Sequence, residues 1–449
     1  MNTNNSFSKS YIHHISRRSR IDSVLIILFF STFRLPVLFP SPLDTILNIL
    51  FIGFFALILF LRLPSLIVIK RINTNYFFLL IGFLIWGHMA YFRALLNGHF
   101  DIISALIAII WQWLVVLLGL VFISSAENKN EIKSLLRAIT IGAATYIFIN
   151  FILGIFGVQA SDYEEIQKYQ LTSIVLSVLG YEWLVINPPL SSAPRAIAGI
   201  CIFVVMVFSS YFNKFYISDD RYFLSKAIVL ISIFFLASQS VRMALMSVLF
   251  CYVIVIFFKK RNVMLFTKSL IIFAPFLPFG LVLIAGVIQE YNIMSFLSRN
   301  AFDNIATLSN RTYIWEEVIN VASNINHYTI IGFGINGHLE SGIWNSVSYL
   351  FEDRLDNKVH TLHNATLQMF IDRGIIGLLL FQALLYVLID RLSRAGIFGY
   401  KIIFGILALI IFSQTESLFN VGPIDSLTLL LFIAIVSSSS FLNKKSNNI

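Results

Sequence analysis

LSKAIVLISIFFLASQSVRMALMSVLFCYVIVIFF, residues 224–258, decides the fold. As one helix these 35 residues would run about 52 Å at 1.5 Å per residue, far beyond the ~30 Å hydrocarbon core of a bilayer. The stretch carries Lys226 near its start and a single polar break, Ser238-Gln239-Ser240-Val241-Arg242, in its middle. It therefore folds back as two short spans, and the turn holds Arg242 at headgroup depth.

The rest of the chain reads the same way. Only 12% of its 449 residues are charged and its mean hydropathy is +0.83, whereas a soluble domain carries about 25% charge, so a water-facing surface is excluded. A membrane-length window finds apolar segments at 22–39, 43–61, 76–92, 102–124, 135–157, 196–213, 224–240, 241–258, 268–288, 375–390, 400–416 and 426–442. This predicts an all-α polytopic membrane protein of about twelve transmembrane helices, a single integral membrane domain over residues 1–449. Residues 171–186, LTSIVLSVLGYEWLVI, imitate a thirteenth span, but Gly180, Glu182, Pro188 and Pro189 argue for an interfacial or re-entrant segment.

Arg17, Arg18 and Arg20 precede the first segment, and no small-residue cleavage site follows it, so it reads as an uncleaved span. With the N-terminus in the cytoplasm, the clusters Arg62/Lys70/Arg71, Lys129/Lys133, Lys259/Lys260/Arg261, Arg391/Arg394 and Lys444/Lys445 all fall on the cytoplasmic side, as does the C-terminus. The net charge of +9 is thus topological, and its partner is anionic membrane lipid rather than nucleic acid. Cys201 and Cys251 lie inside apolar runs without metal-ligand spacing and read as packing residues.

Two long loops, 158–195 with its interfacial segment and 289–366, fall on the outer face, where long ordered loops carry function. Arg195, Arg242, Arg299, Arg311 and four of the eight histidines, His327, His338, His360 and His363, gather at that face. In LSNRTYIWEEVINVAS, residues 308–323, Ser309 or Asn310 can cap a helix whose apolar positions include Trp315. A cation in the first turn opposes the helix dipole unless an anion binds there, in which case backbone N–H groups and the guanidinium converge on it. The alternative is a solvated arginine stacked on Trp315. Arg242 and Arg195 can equally be interfacial arginines that snorkel to phospholipid. All three nevertheless lie at one depth, where the diphosphate of a lipid would also sit.

His363 opens HNATLQMFIDRGIIG, residues 363–377. Ala365 to Arg373 reads as a short helix stopped by Gly374, which puts His363 at a helix entrance beside the membrane surface. Its imidazole can take a proton from a sugar hydroxyl, a role for which His360 competes; a structural histidine bonded to loop backbone is the plainer reading. Gly332-Phe333-Gly334 and Gly337 suit a tight turn better than a phosphate loop, since no Lys-Ser or Lys-Thr follows. Asp219-Asp220 lies on the cytoplasmic side, Glu352, Asp353 and Asp356 form an exposed patch, and the histidines lack zinc spacing. The expectation is chemistry without metal or other cofactor, with arginines neutralising the leaving group.

These elements resemble the O-antigen ligase and O-antigen polymerase superfamily of bacterial envelope enzymes over roughly residues 195 to 390. The resemblance rests on the Ser-rich turn with Arg242, SNRTYIW with Arg311, IIGFGING at 330–337, and His363-Asn364 followed by nine residues and Gly-x-x-Gly. It departs at Val241, where the family often has Ser directly before the arginine. The resemblance implies transfer of an undecaprenyl-diphosphate-linked glycan at the periplasmic face of the inner membrane, with lipid A-core or a growing glycan as acceptor. It also implies that Arg242 and Arg311 hold the diphosphate, that Arg195 assists, and that His363 is the base, with His360, Asn364 and Trp315 in support. Ligation is favoured by the His363 motif, and polymerisation uses the same parts. A transporter or flippase, from another class, would show matching halves and midplane polar groups, neither of which the sequence has.

Overall fold

The computed structural model describes residues 16–32, 34–40, 42–62, 72–158, 188–190, 194–209, 222–238, 241–290, 311–351, 361–419 and 426–442. Each of the twelve apolar segments contributes described residues to a helix. The first five are α1 (Arg17–Thr32), α2 (Leu43–Arg62), α3 (Thr74–Leu96), α4 (Ile102–Ser125) and α5 (Lys129–Ile155). Next come α6 (Pro194–Ser209), α7 (Tyr222–Ser238) and α8 (Arg242–Phe257), then α9 (Lys260–Phe273) and α10 (Leu277–Glu290), which are joined by a 3₁₀ turn. Four short helices follow: α11 (Arg311–Ser323), α12 (His327–Ile331), α13 (Gly337–Glu340) and α14 (Ile343–Val347). The last three are α15 (Ala365–Arg394), α16 (Ile397–Ser413) and α17 (Ser426–Ser437). No strand occurs among the described residues beyond an isolated bridge between Ile72 and Ser439.

Among the described residues seven stretches are long and apolar enough to cross a membrane, and five shorter apolar helices accompany them. The break between α7 and α8 falls where the 35-residue stretch was expected to turn, and Arg242 is the first helical residue after it. The ninth apolar segment differs from its expected course. Its helix begins at Lys260, and Pro275 and Pro278 impose the 3₁₀ turn that divides it, because proline removes a backbone donor and collides with the preceding turn. The segment 171–186, His360, Arg299, Asp219-Asp220 and the Glu352/Asp353/Asp356 patch lie outside the described residues.

The ends of the bundle differ in chemistry. At one end Asp22 is buried and accepts from Arg62 and Ser125. There Glu131 accepts from the backbone N–H groups of Ser16 at 2.9 Å and Glu127 at 2.7 Å. Arg391 donates to the carbonyls of Ser437 and Ser439, satisfying acceptors that the end of α17 leaves open. At the other end Tyr146 donates to the Leu190 carbonyl at 2.8 Å, Arg34 donates to the same carbonyl, and the Leu190 N–H bonds to Asn150. Phe151 near the end of α5 meets Phe234 and Phe235 near the end of α7, which brings the turn leading to Arg242 to this second end. Between the ends runs a continuous apolar core. Outside it, α2 buries only Phe55 and turns Ile49, Leu50, Phe54, Phe60 and Leu61 outward, as a face against lipid tails requires.

Helix α15 carries the feature that shapes the second end. Gly374 has φ of +68° inside it, so the helical ladder stops there and resumes at once. The expected stop at Gly374 is thus a kink, because other groups take over the freed carbonyls. Phe333 N–H donates to Ile371 O at 2.8 Å, Gly334 N–H to Asp372 O at 3.0 Å, and the Trp86 indole to Arg373 O at 2.8 Å. For the backbone to approach so closely, Gly332 and Gly374 face each other with positive φ and no side chains. A Cβ on Gly332 would collide with the Asp372 carbonyl, and one on Gly374 with the Ile330 carbonyl. The glycines of IIGFGING therefore admit another stretch of main chain, in a turn rather than a phosphate loop.

Gly332→Ala and Gly374→Ala should each lower the thermal midpoint of the purified protein well beyond Gly98→Ala. Gly98 also has positive φ, which costs a non-glycine about 1–3 kcal/mol, but a Cβ there meets open space. Equal losses in all three, measured by thermal unfolding in detergent, would mean that the close approach at Gly374 contributes nothing.

Candidate functional site

Where α11 begins, α15 begins and α16 ends, three side chains from distant parts of the sequence converge. Arg311 is the first residue of α11; Trp315, one turn on, is fully buried and anchors a small core with Ile314, Val318, Leu362, Leu367 and Ile371. The indole donates to the Leu362 carbonyl at 2.9 Å, and the Leu362 N–H donates to Gln368 Oε1 at 2.9 Å. Both backbone groups of Leu362 are thereby held. On the other side of His363, Asn364 is fully buried and caps α15 by accepting from Thr366 N–H and Leu367 N–H, while its own amide donates to Gln414 O at 2.8 Å.

His363 sits between these two fixed residues with φ of +52°, in the left-handed region that non-glycine residues seldom enter. Such a conformation persists only where the surroundings enforce it, and here they do. The result aims the imidazole at Glu416, whose Oε2 lies 3.5 Å from His363 Nδ1. Glu416 Oε1 accepts from Arg311 Nη2 at 2.7 Å, and Arg311 Nη1 donates to the Thr415 carbonyl at 2.7 Å. The Glu416 side chain is 4% exposed, against 16% for Arg311 and 13% for His363, so the carboxylate lies beneath two partly open groups.

This geometry assigns the tautomer its task. A neutral imidazole with its proton on Nδ1, the nitrogen nearest the carboxylate, carries its acceptor lone pair on Nε2. Arg311 has five N–H donors, and Glu416 and Thr415 O use only two, so the guanidinium can hold a further oxyanion while fixed in orientation.

The structure thus brings Arg311, His363, Asn364 and Trp315 into one neighbourhood. Arg311 is neither a solvated surface residue nor a partner stacked on Trp315, whose ring is enclosed in the small core. Arg195 is the second residue of α6, and Gly199, one turn further on, packs beside Leu418 and Ser426, so the start of α6 lies at the level of the site. Arg242 begins α8 at the same end of the bundle. His327 is exposed and packs on Tyr328, while His338 is buried, and neither contacts Glu416. Among the described residues no group of three His, Cys, Asp or Glu is disposed to hold a metal ion.

Sequence reasoning missed Glu416, which ends the eleventh apolar segment. A lone acidic residue closing an apolar span is itself a signal, because burying a carboxylate demands a partner.

Residues 227–382 match the family model described as O-antigen ligase. The match supports the O-antigen ligase-like superfamily. It spans about a third of the chain and includes Arg242, Arg311, His363 and Asn364, whereas Arg195 and Glu416 lie outside it. No curated protein matches the chain. A helical membrane architecture agrees with the family match.

Removing Arg311 while keeping Glu416 leaves a buried carboxylate without its guanidinium, a loss of about 3–5 kcal/mol for a buried pair. Arg311→Met should therefore unfold at markedly lower temperature than wild type, and the double variant Arg311→Met/Glu416→Gln should recover most of the difference. Additive losses in the double variant would show that the pair is not coupled.

Proposed function

We propose that this protein transfers an undecaprenyl-diphosphate-linked glycan to lipid A-core at the periplasmic face of the inner membrane. The observation that carries the reading is the meeting of Arg311 and His363, fifty-two positions apart in the chain, on the single buried carboxylate of Glu416. The family match to residues 227–382 supports it independently.

The chemistry follows from the roles of these groups. The acceptor's hydroxyl proton passes to His363 Nε2 as its oxygen bonds to the anomeric carbon of the donor sugar. The bond from that carbon to the diphosphate oxygen breaks, and the electron pair leaves with the lipid diphosphate. Glu416, on the far side of the ring, stabilises the imidazolium that forms, and Arg311 neutralises charge on the leaving diphosphate, with Arg242 and Arg195 as its partners. Displacement is direct and inverting, with no metal and no covalent glycosyl-enzyme. Outside the cytoplasm no nucleotide sugar or ATP is at hand, so the donor itself carries the energy. In this reading the basic end of the bundle faces the cytoplasm.

Polymerisation of the lipid-linked chain would use the same groups, and the His-Asn, nine residues, Gly-x-x-Gly spacing favours ligation. Lipopolysaccharide gels from a deletion strain separate the two: loss of a ligase leaves polymer on the lipid carrier, and loss of a polymerase leaves core bearing one repeat.

In transfer assays with purified donor and acceptor, His363→Ala should reduce the rate by about 10²- to 10⁴-fold, the usual contribution of a general base. Arg311→Ala should abolish transfer, and Glu416→Gln should lower it while leaving donor binding measurable. Wild-type rates for His363→Ala would remove the base assignment. Added chelator should leave the rate unchanged, and inhibition by it would reveal a metal requirement.

A further inference from the structure

Beside the Arg311, His363 and Glu416 cluster lies a cavity of about 200 Å³, bordered by Ala365 and Gln368 of the turn that follows His363 and by Phe419 of the turn that follows Glu416. At roughly 30 Å³ per water it holds the volume of six or seven waters, below the ~300–1,000 Å³ of pockets for drug-sized ligands. One sugar ring or a compact oxyanion fits, and an oligosaccharide does not. Tyr91 and Phe100, whose rings meet edge to face at 5.6 Å, supply aromatic walls.

Arg373 lines this cavity and is 3% exposed. Its guanidinium lies over the Phe83 ring at 4.9 Å and against Gly87, where a Cβ would stand 3.0 Å from Nη1, so the missing side chain makes its slot. Among the described residues the guanidinium has no hydrogen bond and no ion pair. The neighbouring Asp372 directs Oδ1 to Gly337 N–H at 3.0 Å and to the Gln368 amide at 2.9 Å instead. A buried guanidinium without a carboxylate or carbonyl partner among the described residues is costly, and a ligand presenting several acceptor oxygens on one charged group answers it best.

We propose that this cavity is a monosaccharide subsite for an acidic sugar of the glycan, with Arg373 reading the sugar's carboxylate or phosphate. The assignment rests on the glycan-transfer reading for its substrate, and on Arg373 and the cavity for its chemistry. Asn336, held at φ of +61° on the rim, contributes an amide suited to ring hydroxyls. Arg373 is a specificity residue: it selects which sugar lies next to the His363 base.

The test uses the full-length protein in phosphatidylcholine nanodiscs with glucuronate, glucose 6-phosphate, glucose and inorganic phosphate as probes. Glucuronate or glucose 6-phosphate should raise the thermal midpoint, glucose should not, and Arg373→Met should remove the shift. If Arg373→Met does not fold, Arg373→Lys, which keeps the charge and loses the fork, should weaken binding at least tenfold. With acceptor glycans that end in glucuronate or in glucose, the Arg373 variant should cut the KM preference for the acidic acceptor at least tenfold, with kcat changing less than KM. An equal shift by glucose, no shift by any probe, as for a cavity filled by water alone, or an equal KM change for both acceptors would overturn the subsite. Protection by inorganic phosphate alone, or by phosphatidylglycerol nanodiscs alone, would assign the cavity to a free anion or a lipid headgroup and overturn it as well. Glucuronate binding by a protein that transfers nothing would support the subsite and remove the transferase reading. Transfer that depends on His363 without acceptor discrimination by Arg373 would do the reverse.

Discussion

A single carboxylate buried at the end of an apolar helix organises one end of the helix bundle. Glu416 cannot be left unpaired at 4% exposure, and the groups that answer it come from the start of α11 and the start of α15. Arg311 answers with its guanidinium and also bonds the adjacent carbonyl of Thr415, so the end of α16 is held by both charge and hydrogen bonds. His363 turns toward the same carboxylate in a strained conformation that the buried residues on either side enforce. The carboxylate and the backbone around it together fix the cation and the imidazole.

The kink at Gly374 serves this arrangement from the other side. By breaking the ladder of α15 it frees the carbonyls of Ile371, Asp372 and Arg373, and these recruit Phe333, Gly334 and Trp86. The turn of the outer loop is thus tied to α15 and, through Ile335 N–H on Ala90 O, to α3. The described residues 311–351 have, with the start of α15, their own apolar core around Trp315. The same fastening bounds the cavity beside Arg373, whose lining includes Ala365 and Gln368 from the first turn after His363. In a glycan transferase this would let one rigid unit hold the leaving group, the base and the neighbouring sugar in fixed relation.

Much of the architecture was legible in the amino-acid sequence. The apolar segments, the polar break before Arg242, the helix opened by Arg311 and the helix start just after His363 are local events, governed by residues within a few positions of one another. Boundaries differ where a local signal sets them: Asn128 caps α5 seven residues before the apolar run begins, and Pro275 divides the ninth segment. Asn364 and Trp315 were named as support without their task being evident, since their partners, Gln414 and Leu362, lie 50 and 47 residues away.

Composition, periodicity and the order of motifs were enough to determine a helical membrane protein, the sidedness expected of its charges and the residue types available for chemistry at its outer end. Tertiary structure alone decided which of those residues meet. Glu416 reads as the tail of an apolar span and Arg373 as one more basic residue near a membrane surface until α3, α15 and α16 pack together. The reason is that hydrophobic burial is written along the chain with short periods, whereas the pairing of a buried charge depends on which distant segment the packed helices bring opposite it.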